Sequence, residues 1–267
     1  MDEENSNHLD SYNSLSEEDS ICDLQSAENE EKARLIDLRN TSMKALYSLL
    51  DNFIKSGDVY NASQLGHWIE DLVTYKKFEK EFIPSKLIKY ERGNILKVNL
   101  GYNVGNEENG LHYCVVLDKS NDKNSGVITV IPLTSFKGKK LYYSSVNLGN
   151  EIYNSLKEKL NEKTKELNSI ATEILTHKLG DDATIDERNE YSKKLVEASK
   201  KIEYIEKLDY EINKMKTGSV ALVNQITTIS KQKIYDPQKT YDIFAGVKLS
   251  DENLDKINSM IKKVYIK

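Results

Sequence analysis

Between positions 151 and 216 the chain holds one glycine, Gly180, and no proline, whereas Gly, Asn and Asp clusters break up the sequence before it. A run of that length without a breaker reads as helix, because nothing in it interrupts backbone i to i−4 hydrogen bonding. Ile152, Leu156, Leu160, Leu167, Ile170 and Ile174 recur at helical spacing. Leu195, Ala198, Ile202, Ile205, Leu208, Ile212 and Met215 then recur at intervals of three and four, the period of a coiled-coil seam. Gly180 divides the two arms, and Thr184 followed by Glu187 is the signature of a capping box. The spacing predicts an antiparallel helical hairpin over 150–216.

What flanks the hairpin has a different period. Short β-rich runs at 94–100, 112–117, 127–135, 141–148 and 220–229 are separated by turn formers, most densely at 103–110 and 118–126. That pattern predicts a small antiparallel sheet or barrel, with the helical hairpin inserted between its fourth and fifth strands. A last helix begins at Ser250, a suitable N-cap, where Asp251 and Glu252 complement the helix dipole and Leu254, Ile257, Ile261 and Val264 make one apolar face.

Upstream, the apolar residues from Leu35 to Phe53 have roughly helical spacing and Gly57 follows as a C-cap. A second helix reads from Ser63 through Leu65, Trp68, Ile69, Leu72 and Tyr75 toward Pro84. Together they predict an N-terminal helical hairpin over 31–85. Residues 1–30 are Ser, Asn, Asp and Glu with few apolar residues, a composition that predicts disorder.

Charge is unevenly placed. The net charge is −5, yet residues 1–31 hold eleven acids and no Lys or Arg, so the rest of the chain carries 38 basic against 32 acidic residues, a net of +6. A mildly basic body suits a polyanionic ligand. No segment approaches the ~20 apolar residues of a membrane span, and the N-terminus lacks a basic start and an apolar stretch, so a cytoplasmic protein with no membrane association is expected. Cys22 and Cys114 have no metal-ligand spacing, and Cys114 reads as a buried thiol.

The β-rich pieces, taken in order, resemble the MazF/PemK toxins. The resemblance runs through Arg92-Gly93-Asn94-Ile95, Gly105-Asn106-Glu107 with Gly110, Val115-Val116-Leu117 and Val130-Ile131-Pro132-Leu133-Thr134-Ser135. It returns after the hairpin with Gly218-Ser219-Val220-Ala221-Leu222, Gln225-Ile226-Thr227-Thr228-Ile229 and Lys231-Gln232-Lys233-Ile234. It implies an α+β chain built on an SH3-like small β-barrel over 86–149 and 217–267. It also implies the toxin of a type II toxin-antitoxin system: a homodimeric endoribonuclease that cleaves single-stranded RNA without a metal or other cofactor and is neutralised by an antitoxin protein.

The resemblance also implies the site. Metal-free RNA cleavage needs a group to take the 2'-hydroxyl proton, a group to protonate the leaving 5'-oxygen, and a donor or cation for charge on phosphorus. The family's loop glutamate falls on Glu107 and its third-strand threonine on Thr134, with Ser135 beside it. The family's Arg-Pro pair falls on His112-Tyr113, so an imidazole stands where the arginine would. Lys137, Lys139, Lys140, Lys231 and Lys233, together with Gln225, are the candidate RNA contacts, and Tyr113, Tyr142 and Tyr143 could stack bases. Two alternatives stand beside this: a catalytically inactive member of the same fold that binds nucleic acid or protein, and an assembly protein acting through its helical hairpins.

Overall fold

A computed structural model describes residues 7–136, 138, 141–177, 179–180, 183–215 and 218–266, with side chains described from residue 27 onward. The chain divides into two units, Met1–Ile69 and Glu70–Lys267.

Helix α1 spans Asn7–Lys55 and α2 spans Val59–Lys77. Residues 7–30, expected to be disordered, are helical here; they hold no Gly or Pro, so no backbone breaker opposes the helix. The break between the helices falls at Gly57, whose φ of 74° places it in the left-handed region. Asp58 then caps α2, accepting the Asn61 backbone N–H at 3.1 Å, which is why that helix begins before the expected Ser63. The predicted hairpin is confined to its turn end. Leu50 and Phe53 are half-buried and Leu65 is buried, but Leu35, Leu38 and Met43 further along α1 are exposed.

The second unit is a seven-stranded antiparallel sheet: β1 Ile95–Asn99, β2 Leu111–Val116, β3 Val127–Ser135, β4 Ser145–Gly149, β5 Ser219–Leu222, β6 Thr227–Ser230 and β7 Ile234–Asp236. The strand order is β4-β5-β3-β2-β1-β7, with β6 also paired to β3. β3 organises it. Its first half pairs β6 (Val127↔Ser230 to Val130↔Thr227), its second half pairs β5 (Leu133↔Ala221 to Ser135↔Ser219), and its middle pairs β2. The single run expected over 220–229 is therefore two strands, because a 3-10 turn at Val223–Gln225 carries the chain from one half of β3 to the other. β7 was not foreseen; three residues are too few to show a period. β4 and β7 stand at opposite ends of the path and no ladder among the described residues joins them, so the sheet is open where a closed barrel was expected.

Alternation sorts the strand residues into two cores. On one side Leu96, Val98, Cys114, Val116, Ile128, Val130, Ile229 and Ile234 close around Tyr90. On the other, Ile95, Val115, Ile131, Leu133, Val146 and Ala221 receive Ile152 and Leu156 from α3, Leu208 and Ile212 from α4, and Leu254 and Ile257 from α5.

α3 (Glu151–Thr176) and α4 (Ile185–Lys214) pack as the inserted antiparallel hairpin, and the Thr184–Glu187 capping box forms with both reciprocal bonds. The seam on α4 keeps Ala198, Ile205, Leu208, Ile212 and Met215 of the expected set and loses two members. Leu195 and Ile202 are exposed, while Lys194 and Lys201 turn toward α3 and pair with Glu173 (3.3 Å) and Glu166 (2.6 Å). Apolar spacing alone could not reveal lysines whose stems pack while their ammonium groups reach a partner.

The α5 helix, Asp251–Tyr265, is capped by Ser250, whose hydroxyl accepts the Asn253 N–H at 3.4 Å. Arg92 pins it to the sheet, its guanidinium donating to the Leu117 carbonyl and to the Asn258 side chain. Gly93 beside it has a φ of 87°, and a Cβ there would lie 3.0 Å from Leu254 Cδ1. The Arg-Gly pair is thus architectural.

Candidate active site

The first strands and their loop place the imidazole. His112 sits near the start of β2, on the same side as Cys114 and Val116, and its Nδ1 lies 3.2 Å from the Leu133 carbonyl of β3. A carbonyl only accepts, so that bond assigns a hydrogen to Nδ1. Nε2 is left facing Glu108, with Oε2 at 3.3 Å. Both side chains are about one quarter exposed, sheltered enough to hold an orientation and open enough to meet a ligand.

The carboxylate at the imidazole is Glu108, whereas the sequence pointed to its neighbour Glu107, which is exposed. The loop geometry decides between them. Gly105 and Gly110 adopt φ of 67° and 74°, and Gln225 clamps the segment between them, its Oε1 accepting the Glu108 N–H at 2.7 Å and its Nε2 donating to the Asn106 carbonyl at 3.1 Å. Asn103 holds the other side, donating to the Glu108 carbonyl at 2.7 Å. Adjacent glutamates in a turn look alike in sequence, and only these tethers say which one faces inward.

Thr134 is half-buried on β3, where it pairs Val220 of β5. Carrying the Cys114↔Pro132 register two residues further along both strands sets Thr134 opposite His112 on the same face. Ser135 follows, half-buried and paired with Ser219. The structure therefore brings His112 and Glu108 together, with Thr134 on the same face of β3 by alternation.

Beside them is a cleft of about 560 Å³ lined among others by Asn106, Glu107, Glu108, Pro132, Gln225 and Lys233. His112 and Thr134 do not line it; Glu108 connects the imidazole to it. Lys233 supplies positive charge, and burial lowers the pKa of its ammonium from the ordinary lysine value. Among the described residues no group of three or more His, Cys, Asp or Glu is placed to hold a metal ion.

Three sets of expected contacts stand differently. Lys231 is buried, its ammonium donating to the Asp122 carbonyl at 3.0 Å, because a 3-10 turn at Lys231–Lys233 directs it inward; it cannot meet a ligand from there. Tyr113 points to the opposite side of β2 from His112, where its hydroxyl donates to Glu211 at 3.0 Å and its ring lies 5.2 Å from that of Phe244. Burial, with Glu211 beside it, raises its pKa from the usual tyrosine value. Strand alternation makes it impossible for both His112 and Tyr113 to face one ligand. Lys137, Lys139 and Lys140 lie outside the described residues.

No helix among the described residues is long and apolar enough to cross a membrane. No curated protein matches the chain. The family model described as PemK-like, MazF-like toxin of type II toxin-antitoxin system matches residues 91–197, from the Arg92-Gly93 turn through the four strands β1 to β4 into α4. Over those residues the chain is similar to the PemK-like, MazF-like toxins.

Proposed function

We propose that the protein is the toxin of a type II toxin-antitoxin pair and cleaves single-stranded RNA by attack of a 2'-hydroxyl on the adjacent phosphodiester, without a metal. The observation that carries this reading is the imidazole of His112 held between the Leu133 carbonyl and Glu108, in a stretch similar to a toxin family. In the reaction the bond from the 2'-oxygen to phosphorus forms as the bond from phosphorus to the 5'-oxygen breaks. The Glu108 carboxylate takes the 2'-hydroxyl proton, His112 gives a proton to the leaving 5'-oxygen, and the Thr134 hydroxyl donates to a non-bridging oxygen. The products are a 2',3'-cyclic phosphate and a 5'-hydroxyl. Lys233, Gln225, Ser135 and Glu107 contact the strand, with Lys137, Lys139 and Lys140 assigned to the same role by sequence.

An SH3-like barrel, opened between β4 and β7, fits the curl of β1, β2, β3, β6 and β7 around one core. A homodimer, an antitoxin partner and a cytoplasmic setting complete the proposal. A second reading, a member of the fold that binds RNA without cutting it, is favoured by His112 standing where the family has arginine. Incubation of a mixed RNA with the protein in EDTA separates the two. Cleavage to 5'-hydroxyl ends that is lost in His112→Ala and Thr134→Ala supports catalysis. Intact RNA, or equal cutting by folded variants, overturns it.

A further inference from the structure

A second cavity, of about 330 Å³, adjoins the first and shares Lys233 with it; Asp71, Tyr75, Asn99, Tyr235 and Gln238 complete most of its wall. Its size is that of a small-ligand site. Asp71 and Tyr75 come from α2, outside the matched residues 91–197 and outside the region of family resemblance. The cavity thus draws part of its wall from outside the matched residues.

The polar groups there are positioned. The Asn99 side chain at the end of β1 donates to Asp71 Oδ2 at 2.6 Å and accepts the Gly101 N–H at 3.0 Å, and it also bonds the Tyr75 hydroxyl. One amide therefore orients an acid and a phenol side by side. Gln238 donates to the Ile234 carbonyl at 2.7 Å, which fixes its amide at another part of the wall. Asp71 and Tyr75 are half-buried, and Tyr235 leaves two thirds of its surface open, with the Lys97 ammonium 5.4 Å from its ring. A fixed carboxylate, an aromatic face and a lysine at the rim are what a flipped-out nucleotide needs: acceptors for its base edge, a surface to stack on and a cation for its phosphate.

We propose that this cavity is a nucleobase subsite that reads a guanine in single-stranded RNA, one nucleotide away from the strand in the main cleft. Guanine is the base whose Watson–Crick edge presents two adjacent donors, N1–H and N2–H, to a single carboxylate. A phosphate at Lys233 lies at the junction of the cavities, so consecutive nucleotides fall one into each. The inference rests on the RNA reading above and adds to it the specificity of the site.

The test uses the full chain and fluorescent single-stranded heptanucleotides carrying one guanine, adenine, cytosine or uracil at each position in turn, with binding read by anisotropy in EDTA on ice. Wild type should prefer guanine at one position by about tenfold, the discrimination of one good bidentate contact. Asp71→Asn should lose that preference at that position alone, and Tyr235→Ala should weaken every base there. An identical positional profile in wild type and both folded variants overturns the subsite while leaving RNA binding intact. Should Asp71→Asn not fold, competition on wild type decides: GMP must displace the guanine oligonucleotide better than AMP, and equal displacement overturns the assignment. A wild type that binds no oligonucleotide overturns the RNA reading and the subsite with it.

Discussion

Replacing Glu211 with alanine tests whether the inserted hairpin is part of the fold. Glu211 on α4 meets Lys97 on β1 at 2.6 Å, and the two side chains are 11% and 9% exposed. The second carboxylate oxygen accepts the Tyr113 hydroxyl at 3.0 Å, and the Lys97 ammonium also lies 5.9 Å from the Tyr113 ring. Truncation thus strands a buried ammonium and a buried hydroxyl together. Breaking a buried pair by removing one partner costs ~3 to 5 kcal/mol, far more than the pair itself contributes relative to an apolar replacement. At roughly 2 to 4 °C per kcal/mol for a domain of this size, the melting temperature of Glu211→Ala should fall by about 6 to 20 °C. Urea titration and calorimetry on the single variant, on Lys97→Met with Glu211→Leu, and on that pair with Tyr113→Phe supply the measurement. The combined variants should recover most of the loss, since no charge is then buried alone. A single variant within about 1 kcal/mol of wild type, or combined variants as unstable as the separate losses added together, refutes the reasoning.

Further outcomes follow from single positions. Glu108→Gln keeps the loop backbone tethered but removes the base, so RNA cleavage should fall ~10²-fold or more in single-turnover assays with binding retained, whereas Glu107→Gln should change cleavage far less. Burial raises the Asp236 carboxyl above its ordinary 3.8, so the folded protein holds that proton more tightly than the unfolded chain; its contribution is full below that pH and is lost as pH rises through the folded value. Urea midpoints of Asp236→Asn should therefore decline less than those of wild type as pH rises from about 4 to about 7. Gly93→Ala forces a Cβ into the left-handed region against buried Leu254 and should cost more than ~1 kcal/mol by denaturant unfolding.

Elements with a strong period were readable in the sequence. β3 runs over the expected 127–135, the capping box forms at Thr184, and Ser250 caps α5 as its position suggested. What the sequence concealed was pairing. Residues 220–229 look like one strand because they are β-rich and no Gly or Pro interrupts them, and only the competing demands of the two halves of β3 break them. The site was half readable for the same reason. His112 and Thr134 follow from strand position, while Glu108 owes its place to Gln225, 117 residues away in sequence. Lys231 and Lys233 stand two apart and look equivalent, yet one is buried against a carbonyl and the other lines two cavities. Tyr113, expected to contact RNA, turns to the hairpin side because adjacent strand residues face opposite ways and His112 takes the other side.

That alternation also explains how a long insertion can sit so close to the strand that carries His112. β2 shows His112 to the Glu108 side and Tyr113 to the hairpin side, so the candidate site and the root of the insertion occupy opposite faces of one strand. On the hairpin side, Ile152, Leu156, Leu208 and Ile212 share one core with Val115, Ile131 and Leu133. Leu133 is the residue whose carbonyl holds the His112 ring. Its side chain is fixed by the core that the hairpin helps to fill and its backbone orients the imidazole, so the root of the insertion supports the site through packing. The outer part of the hairpin has no such tie. Beyond Leu160 and Tyr204, which still touch the core, its two arms meet through half-buried Leu167, Ile170, Ile174 and Ala198 and ion pairs such as Lys201–Glu166 and Lys194–Glu173. The insertion is therefore two things physically: a root that belongs to the domain's core, and an arm whose surface can change without moving His112.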